Sequence, residues 1–194
     1  MPTVYYFTHT QIRVEPTVPV KDWRLSDEGR ARVLRVVNAP WASRVTRVVA
    51  SSEYRVIETA HIFAARRDLP VEIVQQLGES ARPLFDFLSV VDLDRTVEAF
   101  FARPDESPRP GWEPATDAQR RVAAAVDALL TPKPLEGDML IVGQGRIGTL
   151  LMCHLAGLPI SREHFQPTPG GNLFAFDATS RKVLFRWRIV APPL

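Results

Sequence analysis

At 194 residues, the chain is long enough to bury one sizeable hydrophobic core and short for two independent units, so a single domain over residues 1–194 is expected. Its one cysteine, Cys153, excludes a disulfide framework or a cysteine-based zinc cluster within one chain and fits a reducing, cytoplasmic setting. No run approaches the roughly 18 apolar residues of a membrane span, and the net charge of +2 comes with scattered arginines; neither membrane nor nucleic acid is expected as a partner, while small anions are.

Thr3–Phe7 (TVYYF) is β-branched and aromatic, which suits a buried strand, and the polar, proline-punctuated stretch from Thr8 to Val20 reads as a loop. His9 therefore stands at a strand's carboxyl end. Ser26 followed by Asp27 and Glu28 predicts a helix start, because a hydroxyl cap and early carboxylates suit the unpaired amides there; that helix should run to about Asn38. Val45–Ala50 predicts a second strand, Ser51 and Ser52 a turn, and Glu53–Arg67 a helix with Arg55 in its first turn. A short strand at Val71–Val74, an irregular segment through Leu88 and a helix near Asp92–Ala102 follow. The proline-rich run Arg103–Pro114 reads as an exposed loop. Another amphipathic helix is expected over about Thr116–Leu130, then an apolar strand, Met139–Val142, and a helix from Ile147 to Ala156 closed by Gly157. Asn172–Phe176 and Val183–Ile189 pattern as a hairpin. Strands alternating with helices predict a three-layer α/β/α fold with a mainly parallel sheet and an antiparallel edge from the tail.

In open α/β sheets ligands bind outside the carboxyl ends of the strands. The residues there are His9, Arg55 and the turn Gly143–Gln144–Gly145. An imidazole can attack phosphorus, a guanidinium can clamp phosphate oxygens, and glycine-flanked turns at helix starts offer amides to anions. The three junctions agree on phosphate chemistry. A rival reading is written into the same turn: Gly143, Gly145 and Gly148 spell the G-x-G-x-x-G dinucleotide fingerprint. That fingerprint normally opens a βαβ unit with a ribose-binding acid about 20 residues on, whereas Glu163 falls in a loop-like stretch and only a short tail follows. His61, His154 and His164 are not spaced as metal ligands on one face and read as structural or exposed; Cys153 reads as a packed thiol.

The sequence YYFTHT around His9 resembles the "RHG" motif of the histidine phosphatase (phosphoglycerate-mutase-like) superfamily, and WRLSDEGRARV resembles the "LTxxGxxQA" segment that follows it. Downstream, SSEYRVIETA resembles "SxxxRAxxTA", and MLIVGQGRIGTLLMCHLAGLPI resembles "VVSHGxxIRxLLxxLLGLP". The ordered set covers most of the chain. The resemblance implies a phosphoglycerate-mutase-like fold, a small phosphorylated molecule as ligand, no cofactor or metal, and phosphomonoester hydrolysis through a phosphohistidine on His9. It also implies a carboxylate that protonates the leaving oxygen, for which Glu79 in LGES is the candidate. Arg55 carries over as a phosphate clamp, with Gln144, Gly145 and Thr8 around the phosphate and Arg82 and Arg13 at the mouth. Nothing in the sequence sets an oligomeric state.

Two departures stand out. Thr8 replaces the arginine before the nucleophile, and Gln144 replaces the second pocket histidine; Gln144 can donate its amide hydrogens but carries no charge and transfers no proton. A slow enzyme is expected, and mutase activity, which must hold a bisphosphorylated intermediate, is disfavoured. The alternative on the same fold is a catalytically impaired protein that binds phospho-ligands.

Overall fold

The computed structural model describes residues 1–83, 87–131 and 135–193; residues 84–86 of the segment expected to be irregular lie outside the described residues. The first strand, β1 (Thr3–Thr8), is followed by α1 (Asp27–Val36), β2 (Val45–Ala50), α2 (Tyr54–Ala65), β3 (Val71–Ile73), α3 (Val90–Ala102), α4 (Ala115–Leu130), β4 (Asp138–Gly143), α5 (Gly145–Ala156), β5 (Asn172–Asp177) and β6 (Val183–Ile189). They form one six-stranded sheet in the order β3-β2-β4-β1-β5-β6. β1 and β2 both run parallel to β4, β3 parallel to β2, and the β5–β6 hairpin adds antiparallel to β1. The expected mainly parallel sheet with an antiparallel edge is thus the observed one.

Side chains that alternate along the strands divide the core between the two faces. On one, Phe7, Val48, Ala50, Leu140 and Val142 pack against Val33 and Val36 of α1 and Val56, Ala60 and Phe63 of α2. On the other, Val4, Tyr6, Met139, Ile141 and Phe174 pack against α3, α4 and α5 through residues such as Phe100, Val122 and Leu150. β4 is buried along its whole length, which explains why its sequence is an uninterrupted apolar run rather than an alternating one.

Local chemistry sets the helix ends. Ser26 caps α1 by accepting from the Gly29 amide at 3.0 Å, as its sequence predicts. Ser89 does the same for α3 through the Asp92 amide, so that helix begins two residues before the expected Asp92. α5 also begins two residues early, at Gly145, because Gln144 is extended and its carbonyl accepts from the Gly148 amide at 2.9 Å. Gly157 closes α5 in the left-handed conformation, φ 63°, where a side chain would be strained.

The carboxyl-terminal end is tied to α1 by Arg32, a fully buried guanidinium whose Nε and Nη2 donate to the Ala191 carbonyl at 3.1 and 2.7 Å, while Nη2 also donates to the Gly170 carbonyl at 2.9 Å. Hydrogen bonds from a charged donor are each worth about 1.5–3 kcal/mol, and removing this donor orphans buried acceptors as well. Arg32→Ala is therefore expected to lower unfolding stability by about 3 kcal/mol in urea titration; a change below about 0.5 kcal/mol would show that Arg32 braces nothing.

Candidate active site

The ends of β1 and β4 lie side by side. Thr8 pairs with Gly143, and the next amide, that of His9, donates to the Gly143 carbonyl at 3.1 Å. The loop from β5's amino end closes over the same point: the Gly171 amide donates to the Thr8 carbonyl at 3.1 Å. Gly170, at φ 82°, approaches so closely that a Cβ on it would lie 2.1 Å from the His9 carbonyl oxygen. His9 is fixed on both sides of its backbone.

Its ring is fixed as well. His9 Nδ1 lies 2.7 Å from the Thr10 carbonyl oxygen, an acceptor only, so Nδ1 carries the proton and Nε2 is the bare base. Arg55, in the first turn of α2, donates from Nε to His9 Nε2 at 3.3 Å and from Nη1 to the Val20 carbonyl at 2.7 Å. Burial, and after it the Arg55 charge, lower the His9 pKa from 6.5 to about 4. At neutral pH the imidazole is uncharged, and its Nε2 lone pair accepts from Arg55 in the free protein, so it becomes a nucleophile only where Arg55 turns to another acceptor.

His9 and Arg55 line a cavity of about 530 Å3 together with Glu79, Arg82, Gly145 and Arg146. A second cavity, of about 150 Å3, shares Arg55, Glu79 and Arg82 with it and adds Glu53. Glu79 reaches this place because Glu53, the residue before α2, accepts the Glu79 amide at 2.7 Å and the Ser51 hydroxyl at 2.5 Å. Arg121 of α4 ties down the same segment by donating to the carbonyls of Gln76 and Gly78 at 2.6 and 3.1 Å. The Glu79 carboxylate pairs with Arg146 at 3.1 Å. Burial alone would raise its pKa, but the charge and hydrogen bond of Arg146, with Arg82 and Arg55 behind them, hold it at about 2. Two carboxylates, Glu53 and Glu79, thus meet three guanidinium groups, Arg55, Arg82 and Arg146, and the balance stays positive.

Four expected residues, Arg55, Glu79, Arg82 and Gly145, meet His9 at this cavity. Two others do not. The Thr8 side chain is buried and turned to β5, its Oγ1 accepting the Asn172 amide at 3.0 Å, and it lines neither cavity. The hydroxyl is consumed by strand pairing, and any phosphate contact through it is corrected on that ground. Arg13 is solvent-exposed and paired with Glu15 at 2.7 Å. An extended bridge, Ile12 to Leu25, turns Ile12 to the cavity and its neighbour Arg13 away, as strand alternation requires. Gln144 is 1% exposed, and neither its Oε1 nor its Nε2 has a hydrogen-bond partner.

Arg146 joins the site without having been singled out by any motif. It is 6% exposed, stacked 5.2 Å from the Trp112 ring, and its Nη1 is buried without a partner. The available signal is its place one residue after Gly145, in the first turn of a helix whose amino end faces the pocket. Arg82 stacks on Trp112 too, at 5.0 Å. The glycines behind the dinucleotide reading have packing reasons. A Cβ on Gly143 would lie 2.1 Å from the Tyr6 hydroxyl, one on Gly148 2.4 Å from the Tyr6 ring, and one on Gly145 2.2 Å from the Gln166 amide. Among the described residues no group of three His, Cys, Asp or Glu side chains could hold a metal ion, and no helix is long and apolar enough to cross a membrane.

A three-layer α/β/α fold thus places a histidine among arginines at the carboxyl edge of its sheet. The chain belongs to the histidine phosphatase superfamily (branch 1), whose sequence profile matches residues 10–183. The fold is shared with a mycobacterial glucosyl-3-phosphoglycerate phosphatase in complex with inorganic phosphate, at 17% identity and a TM-score of 0.76 over 100% of this chain and 98% of that one. It is shared likewise with Bacillus stearothermophilus YhfR, at 18% identity and a TM-score of 0.76 over 98% and 96% of the two chains. A putative α-ribazole-5'-P phosphatase from Escherichia coli K-12 aligns at 16% identity and a TM-score of 0.74 over 98% and 96%. No curated protein matches the chain in sequence.

The Arg146 pair has a measurable consequence. Arg146→Leu removes the charge and the hydrogen bond that do most to keep Glu79 ionised while leaving the carboxyl buried, so its pKa is expected to climb from about 2 past the ordinary carboxylate value. Carboxyl-carbon NMR titration of the wild type and the variant checks this; an unmoved Glu79 would show that the pair does not control it.

Proposed function

We propose that the protein is a phosphomonoesterase acting through a phosphohistidine on His9. The observation that carries the reading is the fixed tautomer of His9, with Nδ1 held by the Thr10 carbonyl and Nε2 left as a base beside Arg55. In this reaction Nε2 attacks phosphorus, the bond from phosphorus to the ester oxygen breaks, and the leaving alcohol departs with a proton. Water then attacks the phosphohistidine, releasing inorganic phosphate and restoring Nε2.

Arg55 and Arg146 take the phosphoryl oxygens, with the Gln144 amide as a neutral donor and the first amides of α5 completing the cradle. Glu79 supplies the proton to the leaving oxygen. In the free protein it has none to give, because Arg146 holds it ionised. An arriving phosphate dianion competes for Arg146 and places negative charge beside the carboxylate, and both effects raise its proton affinity. The phosphatase neighbours in fold support this chemistry. The reaction is slow, since one cationic contact is absent at Thr8 and another is replaced by Gln144; a missing oxyanion donor typically costs about 10²–10³-fold in rate.

A second reading follows from the Arg146–Glu79 pair. Were that pair to persist with ligand bound, no proton would reach the leaving group, and the protein would bind phosphate esters without turning them over. His9→Ala separates the two. Under the first reading turnover of an alkyl phosphate, whose leaving oxygen needs a proton, and acid-labile phosphate formed from it on the protein both vanish in His9→Ala; under the second, wild type shows neither, and His9→Ala keeps its affinity for phosphate.

Two further outcomes are expected. Gln144→His should raise kcat for p-nitrophenyl phosphate, and an unchanged kcat would remove Gln144 from the pocket's chemistry. With His9 titrating near 4, kcat/KM should hold steady as pH falls from 7 to 5 and decline only on approach to 4. A decline centred near 6.5 would mean that His9 is not held neutral.

A further inference from the structure

We infer that the site takes phosphate esters whose alcohol portion is apolar, in preference to polyhydroxylated ones; this rests on the phosphomonoesterase reading and names its substrate class. The cavity of about 530 Å3 lies within the roughly 300–1,000 Å3 of pockets that enclose whole organic ligands, so most of it is room for the leaving group. Beyond the charged end around His9, its wall is apolar. Ile12 and Trp23 come from the loop after β1, Val90, Leu93 and Val97 from α3, and Phe165 from the segment before β5.

Val90, Leu93 and Val97 sit at helical spacing on one face of α3; Val97 also packs against the core, while Val90 and Leu93 are left open at the cavity. Val90 is 86% and Leu93 38% exposed. Apolar side chains left open at the mouth of a charged pocket gain when an apolar body covers them. Several polar groups on this wall are already engaged, Gln166 through its Oε1, which accepts from the Asn172 side chain at 3.0 Å. Arg162 bonds Asp94 at 2.5 Å and Glu98 at 2.6 Å, and the Thr168 hydroxyl is 2.9 Å from the Asn172 side-chain oxygen. A sugar or glycerol placed here would give up water for few new hydrogen bonds, a loss that disfavours it.

The test compares 2-phenylethyl phosphate with sn-glycerol 3-phosphate, both esters of primary alcohols, and in parallel measures calorimetric binding of 3-phenylpropylphosphonate and methylphosphonate. A preference of about tenfold in kcat/KM, the equivalent of burying about 55 Å2 of apolar surface, is the least expected for the phenyl compound. Leu93→Gln should reduce that preference severalfold by lowering kcat/KM for the phenyl compound more than for glycerol phosphate. A smaller wild-type preference, or a Leu93→Gln variant that slows both esters alike, overturns the inference and leaves the phosphatase reading intact. Should the protein turn over neither ester, the phosphatase reading falls and calorimetry decides the inference. Binding of the phenyl phosphonate at least about tenfold tighter than methylphosphonate supports it, and equal or undetectable binding of the two overturns it.

Discussion

The parallel ladder between β1 and β4 ends in a junction on which the site depends. Beyond the last pair, Thr8 with Gly143, the His9 amide makes one more ladder-like bond to the Gly143 carbonyl. Beneath that junction the Tyr6 hydroxyl accepts the Gln144 amide and donates to the Gln144 carbonyl, both at 3.1 Å. A single buried phenol therefore fixes the turn from β4 into α5, and its oxygen and ring fill the space that a Cβ on Gly143 or Gly148 would need. The constraint runs from strand register to the tyrosine, from the tyrosine to the start of α5, and from there to the direction of Arg146. A change in any of these moves the cationic end of the pocket relative to His9, and placement errors of about 1 Å are enough to cost large factors in rate.

The electrostatics of the pocket make it sensitive to acid in two successive steps. His9 has a folded pKa of about 4 against 6.5, so as pH drops through this window the unfolded chain gains a proton that the folded one refuses, and stability falls. Glu79 has a folded pKa of about 2 against 4.5. Its contribution is fully present above 4.5 and is lost as pH falls toward 2. The two windows barely overlap, so acid erodes the site first at the nucleophile and then at the ion pair. Burial and then Arg55 lower the His9 value, whereas at Glu79 the arginines overcome a burial that would raise it, so the groups that would hold the ligand also help set the protonation states of the attacking and donating residues.

Much of this is legible from residue patterns. The strands are visible because strands are rich in apolar and β-branched residues, as in MLIV, which is buried throughout, and VTRVVA, which is broken only by Arg47, and Ser26 announces α1 through a capping preference that acts within three residues. His9, Arg55 and Gly145 can be placed because strand ends followed by turns and helices carry ligand-facing residues in this class of sheet, while Glu79 and Arg82 come only from the resemblance to the family's motifs. The misplacements share one cause: contacts between segments remote in sequence. Thr8 is 164 residues from Asn172, whose amide takes its hydroxyl, and nothing local to Thr8 shows this. Proximity to His9 suggests Arg13 for the mouth, whereas the bridge from Ile12 to Leu25 decides which of two adjacent side chains faces inward. Arg146 escapes a reading of the sequence because an arginine in a helix's first turn is ordinarily exposed, and only Trp112 and Glu79, from two other segments, bury it.

These misplacements bear on how weak the pocket is. Counted by motif position, the loss of an arginine at Thr8 and of a histidine at Gln144 leaves two charges missing. Counted in space, Arg146 brings one back: a guanidinium enters from the first turn of α5, two residues beyond the neutral glutamine, and packs against Trp112, where weak hydration of its flat faces costs little. The relocated charge differs in its company. A histidine at the glutamine position would itself titrate and share the proton traffic, whereas Arg146 stays charged and answers to Glu79. Cationic binding is thereby kept while the timing of the proton passes to a carboxylate that is released only when an anion claims its partner. In the proposed reaction the cost of the substitutions falls on the rate of proton delivery to the leaving group more than on affinity for phosphate.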